Sequence, residues 1–97
     1  VYPDGHGPAA PFPHFAEAIE AAHPIPDGRG LLAGEKALAL ARSLGPGDRL
    51  VALVSGGGSA LLPAPVAGVT LEETRGLTAA LLASGATIAE INCVRQC

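Results

Sequence analysis

The residues with the clearest chemical potential are Ser55-Gly56-Gly57-Gly58-Ser59. Three consecutive glycines carry no side-chain bulk, so their backbone N–H groups can come close to an anion. The two serines add hydroxyl donors. The run follows Leu50-Val51-Ala52-Leu53-Val54 directly, and ligands of α/β sheets bind beyond the carboxyl ends of strands. A phosphate or a carboxylate suits such a place. A helix starting near Ser59 would add its free N–H groups and its dipole. The competing reading is a tight turn that needs glycine only for positive φ. Three standard motifs fail here at the residue that carries their mechanism. A P-loop requires a Lys after the glycines, and none follows. A dinucleotide fingerprint and a nucleophile elbow each require a glycine where Leu61 stands.

Other polar residues are weaker candidates. His23 is either a hydrogen-bond donor at a strand end or the residue that orders the turn before Pro24. Asp27 either orients a substrate or caps the turn at Gly28. Glu90, Asn92 and Arg95 lie close in sequence, and Asn92 and Arg95 would share a helix face. Arg95 suits a phosphate or carboxylate, while the plainer reading is a solvated face. His6, His14 and His23 are too widely spaced for a metal site. Cys93 and Cys97 have three residues between them rather than the two of a zinc or redox pair, so free thiols and no metal are expected.

The elements that must position these groups follow from the pattern. Residues 3–14 hold four prolines and two glycines, which predicts an irregular loop over 1–14. Residues 15–22 are open between helix by propensity and strand by length. His23-Pro24-Ile25-Pro26-Asp27-Gly28 predicts a rigid, extended turn. A helix is predicted over 31–44, with Leu31, Ala37, Leu38, Ala41 and Leu44 on its apolar face and Gly45-Pro46 as its stop. The apolar run 50–54 predicts a strand buried on both faces. Thr70-x-x-Glu73 is a capping box opening a second helix, for which Leu71, Leu77, Leu81 and Leu82 supply apolar contacts and Ser84-Gly85 the end. Thr87-x-x-Glu90 repeats the box and predicts a helix from Ile88. This order predicts an α/β fold, part of a parallel-sheet α/β/α sandwich whose other strands lie outside these residues.

Composition narrows the function classes. The 97 residues carry 6 basic and 9 acidic side chains, a net charge of −3, without a basic run, which argues against nucleic acid. Two cysteines are too few for a disulfide-stapled secreted scaffold. No apolar run approaches the roughly 20 residues of a membrane span. A cytoplasmic, reduced protein is expected. The lack of any Met and the ending Val94-Arg95-Gln96-Cys97 suggest a piece of a longer polypeptide.

Three segments together resemble the glycerate 2-kinases that end in a MOFRL domain, some of whose members are named hydroxypyruvate reductases. They are Glu20-Ala21-Ala22-His23-Pro24-Ile25-Pro26-Asp27, then Leu53 to Leu62 with the glycine loop, then Thr70 to Asn92 with Val94-Arg95. Gly5-His6-Gly7 resembles a shorter upstream motif. The resemblance implies that residues 1–97 are part of the N-terminal domain of a two-domain, Rossmann-like enzyme, with 15–22 as a strand. It implies ATP-dependent phosphorylation of D-glycerate to 2-phospho-D-glycerate, with Mg2+. On that basis Ser55, Gly56, Gly57, Gly58 and Ser59 contact phosphate or the glycerate carboxylate, His23 and Asp27 line the cleft, and Glu90, Asn92 and Arg95 complete its wall. The main catalytic cations are expected outside these residues, since the one Lys, Lys36, falls on a surface helix. The family continues after Val94-Arg95 with Lys-His-Leu-Ser, where this chain has Gln96-Cys97, which puts activity of the piece in question. The alternatives are an NAD(P)-dependent hydroxypyruvate reductase and a non-catalytic anion-binding remnant.

Overall fold

The computed structural model describes residues 1–7 and 17–95. The chain forms two compact units, Val1–Ala64 and Pro65–Cys97.

In the first unit, β1 (Tyr2–Pro3) and β2 (Glu20–Ala21) pair in parallel, with Tyr2 opposite Glu20 and Pro3 opposite Ala21. Flanking bonds extend the pairing: Tyr2 N–H donates to the Ile19 carbonyl at 3.0 Å and Asp4 N–H to the Ala21 carbonyl at 3.1 Å. The strand expected over 15–22 is thus confined to Glu20–Ala21 among the described residues, and the loop expected over 1–14 contains a strand at its start. Pro3 has no N–H to donate, which suits a short strand position. Immediately after β1 the chain turns, with His6 N–H on the Pro3 carbonyl at 3.1 Å and Gly5 at φ 77, where only glycine is unstrained. The Glu20 carboxylate accepts from Gly5 N–H at 2.7 Å and ties this turn to β2.

Helix α1 runs from Gly28 to Ser43, three residues earlier than the pattern predicts. Asp27 is its N-cap and accepts from Gly30 N–H at 3.0 Å, so the turn residue and the helix start are the same feature. The expected apolar face is also displaced. The buried residues of α1 are Gly30, Ala33 and Gly34, whereas Leu38 is 43% exposed and Ala41 faces solvent. A methyl group at Gly30 would stand 3.1 Å from the Leu61 carbonyl oxygen and the Pro63 Cδ, and one at Gly34 only 2.3 Å from the Pro63 carbonyl oxygen. The helix therefore packs by backbone approach, which leucines would prevent. Leu61 and Pro63 are buried from the other side, and Pro26 is fully enclosed.

Residues 50–54 do not form the expected strand. Val51, Leu53 and Val54 are 79%, 96% and 82% exposed. A parallel strand exists through hydrogen bonds to neighbours and layers on both faces. Among the described residues no segment pairs with this one.

The second unit packs α3 (Leu71–Ala83) with α4 (Ile88–Arg95). Both helix starts are as the sequence predicts. Thr70 caps Glu73 N–H at 3.2 Å while the Glu73 carboxylate accepts from Thr70 N–H at 2.8 Å. Thr87 and Glu90 repeat the exchange at 3.4 and 2.8 Å. The end of α3 is a Schellman motif: Gly85, at φ 75, donates to the Leu82 carbonyl and Ala86 to that of Leu81. The expected leucine stripe is less buried than its pattern implies. Leu77 and Leu82 are 43% and 42% exposed, and the buried residues are Thr78 and Ile91. Thr78 is tolerated inside because its hydroxyl donates to the Thr74 carbonyl at 2.8 Å.

Two glycine substitutions should separate packing from propensity. Alanine is favoured over glycine by roughly 1 kcal/mol inside a helix, and Gly76 has open space around it. Gly76→Ala should raise the unfolding free energy. Gly34→Ala gains the same propensity but collides with the Pro63 backbone, an overpacking cost of about 1–3 kcal/mol. It should lower stability in urea titration.

The capping boxes give a pH signature. The Thr70 N–H, then its hydroxyl, hold Glu73 below the ordinary value of 4.5, and Thr87 does the same for Glu90. A carboxyl with a lower pKa in the folded state contributes stability that is complete above its unfolded value and drains as pH falls through the folded one. Circular dichroism should lose helicity as pH drops below 4.5, and Glu73→Gln with Glu90→Gln should flatten that loss.

Candidate functional site

In the first unit, three chain segments carry the polar groups of interest. After β1 come Asp4 and Gly5. After β2 come His23 and Asp27, with a cis peptide between His23 and Pro24. The third segment is the glycine loop, which leads into α2 (Gly58–Leu61).

The loop is shaped by Gly57, which serves as N-cap of α2 in the left-handed region at φ 85. Its carbonyl accepts from Ala60 and Leu61 N–H at 3.1 and 3.2 Å, and the Gly58 carbonyl accepts from Leu62 N–H at 2.9 Å. The carbonyls of the turn are thus engaged. Among the described residues nothing accepts from the N–H groups of Ser55, Gly56, Gly57 or Gly58. Ser55, Gly56 and Ser59 face solvent, and Gly57 and Gly58 are half-buried. α2 is a single turn, so the helix dipole expected from Ser59 adds little. The bare N–H groups carry whatever attraction for an anion exists.

His23 lies against this loop. A methyl at Gly57 would stand 2.9 Å from both Cδ2 and Nε2 of the ring. Gly57 is therefore required twice, for its backbone angle and for the imidazole edge. Gly56 has nothing within 4 Å of the corresponding point, so its surface is open.

Asp27 stands four residues beyond His23. Oδ1 accepts from Gly30 N–H, and Oδ2 accepts from Arg29 Nε at 2.8 Å. Burial pushes its carboxyl up, but the Gly30 N–H, the Arg29 guanidinium and the Ala22 N–H outweigh this and hold it below 3.8. Arg29 also donates from Nη1 and Nη2 to Oδ1 and Oδ2 of Asp4, at 2.7 and 2.8 Å. That bond is the main cause of a lowered pKa at Asp4 and a raised one at Arg29. One guanidinium thus joins the residue after β1 to the N-cap of α1.

The structure brings His23 and the glycine loop together, with Asp27 on the turn that carries His23. Glu90, Asn92 and Arg95 belong to the second unit, on α4. The Glu90 carboxylate is engaged by Thr87, Asn92 and Arg95 are half-buried, and Cys93 lies exposed between them. His14 and Cys97 fall outside the described residues. Lys36 is on the surface of α1, paired with Glu17. No group of three or more His, Cys, Asp or Glu among the described residues is placed to hold a metal ion. No helix among them is long and apolar enough to cross a membrane. Arg29 and Asp4 escaped the sequence reading. The Asp27-x-Arg29 spacing at a helix start and the Pro3-Asp4-Gly5 turn are visible locally, but nothing in sequence links residues 25 apart.

A glycine loop against the His23 imidazole and, among the described residues, two short parallel strands and four helices make this a mixed α/β segment. Residues 1–97 match throughout the model of a family described as a domain of unknown function, DUF4147, and the chain belongs to that family. It is 44% identical over 95 residues to the D-glycerate 2-kinase of Thermotoga maritima, covering 98% of this chain and 22% of that protein. A protein of Agrobacterium vitis named "Putative hydroxypyruvate reductase" is 52% identical over 80 residues, 82% of this chain and 18% of its own length. The human glycerate kinase is 51% identical over 72 residues, 74% of this chain and 14% of its own length. The crystal structure of glycerate kinase from Thermotoga maritima superposes with a TM-score of 0.78 at 46% identity, over 95% of this chain and 22% of that one. The chain therefore spans about a fifth of the length of the Thermotoga maritima relative. The family resemblance noted in the sequence holds.

The two loop glycines should respond differently to alanine. Gly57→Ala carries both the φ strain and the clash with His23, so it should destabilise the first unit by about 1–3 kcal/mol. Gly56→Ala should leave the melting temperature near that of the parent. Paired thermal melts check both.

Proposed function

We propose that this chain is part of a D-glycerate 2-kinase, in which it supplies the loop that holds an anionic group during transfer of the γ-phosphoryl of ATP to the 2-hydroxyl of D-glycerate. The supporting observation is the set of unengaged N–H groups at Ser55–Gly58, in a chain whose likeness to a D-glycerate 2-kinase runs through nearly its whole length. The substrate hydroxyl oxygen bonds to phosphorus, the bond to the ADP oxygen breaks, and the hydroxyl proton passes to solvent. Such transfer depends mainly on placement and on neutralising phosphoryl charge. Backbone donors from Ser55 to Ser59 meet a phosphate or the glycerate carboxylate. His23 and Asp27 line the cleft of the first unit, and Asn92 and Arg95, on α4 of the second unit, are substrate- or phosphate-binding residues on the same reading. Glu90 enters through the start of α4, which it caps.

The described residues fit one anionic group. No three His, Cys, Asp or Glu side chains among them are placed together to hold Mg2+. The only lysine of the chain, Lys36, is paired on the surface with Glu17, and the principal cations of the reaction belong to other parts of the polypeptide.

The reductase name of one relative points to another chemistry. Its dinucleotide loop would need a third glycine where Leu61 is buried, with its carbonyl close to Gly30. A polypeptide carrying this chain at the full length of its relatives should form 2-phosphoglycerate from ATP and D-glycerate. Gly56→Ala, which places a methyl over the open amides, should lower kcat/KM at least about tenfold. NADH oxidation by hydroxypyruvate without 2-phosphoglycerate formation would replace this reading with the reductase.

A further inference from the structure

Arg29 bonds the segments that follow both strands, at Asp4 and at Asp27, yet the proposed kinase reading gives it no role. Its guanidinium spends Nη1 and Nη2 on both oxygens of Asp4 and Nε on one oxygen of Asp27. The Arg29 and Asp4 side chains are 48% and 54% exposed, and exposed ion pairs add little to stability. What a forked, three-bond arrangement does supply is geometry. Asp4 directly follows β1, and Asp27 closes the turn that begins at His23 and starts α1. The same turn lays the imidazole on Gly57.

We propose that Arg29 is a positioning residue of the anion site: by joining Asp4 to Asp27 it holds the 23–27 turn, and so His23, in the place that keeps the glycine loop open. This rests on the anion-binding reading of Ser55–Ser59 given above. Arg29 is not the cation that meets the anion, because two carboxylates already occupy it. Asp4 is accordingly part of the device although it touches neither the loop nor His23 in any bond described.

The test uses the full-length polypeptide and measures calorimetric affinity for inorganic phosphate and for D-glycerate, alongside melting temperature. No turnover is needed, so the outcome does not depend on the transferase assay. Arg29→Gln and Asp4→Asn should each weaken both probes by about tenfold, with melting temperatures close to that of the parent. Arg29→Lys should recover only part of the loss, since it keeps the charge and lacks the fork. Affinity unchanged in Arg29→Gln would overturn the proposal. So would losses that simply follow melting temperature across the three variants. Failure of the parent protein to bind either probe would remove the anion-site reading itself, a result distinct from binding that ignores Arg29.

Discussion

The first unit depends on how closely α1 approaches the segment after the glycine loop. Gly30 and Gly34 present bare backbone to Leu61–Pro63, and the separation leaves no room for a methyl at Gly34. The same segment leads back through α2 to Gly57, which lies against the His23 ring. Ala33 and Ala60 complete the seam with side chains of the same small size, both almost fully buried. With few aromatics available, the chain reaches core density by bringing backbones together rather than by filling space with large groups.

Around that seam the unit is organised by polar bonds at strand ends. Glu20 holds the turn after β1, Asp27 holds the first turn of α1, and Arg29 spans the two. Each bond satisfies a backbone donor or a charge that would otherwise be left at the rim of a very short sheet. The second unit solves the same problem differently. Its helices are closed locally by two capping boxes and a Schellman turn, features that need no partner beyond a few residues.

The site shows the consequence of this division. In the glycine loop, the Gly57 and Gly58 carbonyls accept from α2 and Leu62, while among the described residues nothing accepts from the N–H groups of Ser55 to Gly58. That asymmetry arises where Gly57 takes a left-handed angle, which glycine adopts without strain. The imidazole of His23 then occupies the space that any side chain at Gly57 would need.

Short-range features were legible in the residues alone. Thr70 with Glu73, Thr87 with Glu90, Gly85 past the end of α3, and the glycine loop all rest on bonds within a few positions, so type and spacing suffice. The family relationship was legible too, through the order of three segments. Features that require two distant parts were not. The periodicity of Leu38 and Ala41 indicated a face, but the contact is made further toward the helix start on the same stripe, by Gly30 and Gly34, while Leu38 and Ala41 stand exposed. Leu50–Val54 has the composition of a buried strand, yet burial depends on neighbours that composition does not contain, and these side chains stand exposed. Arg29 reaches Asp4 only because β1 and β2 lie side by side. Local sequence determined where helices begin and end and where backbone donors are bare; the tertiary structure alone decided which faces are covered and which charges meet, because both are properties of pairs of segments and not of either one.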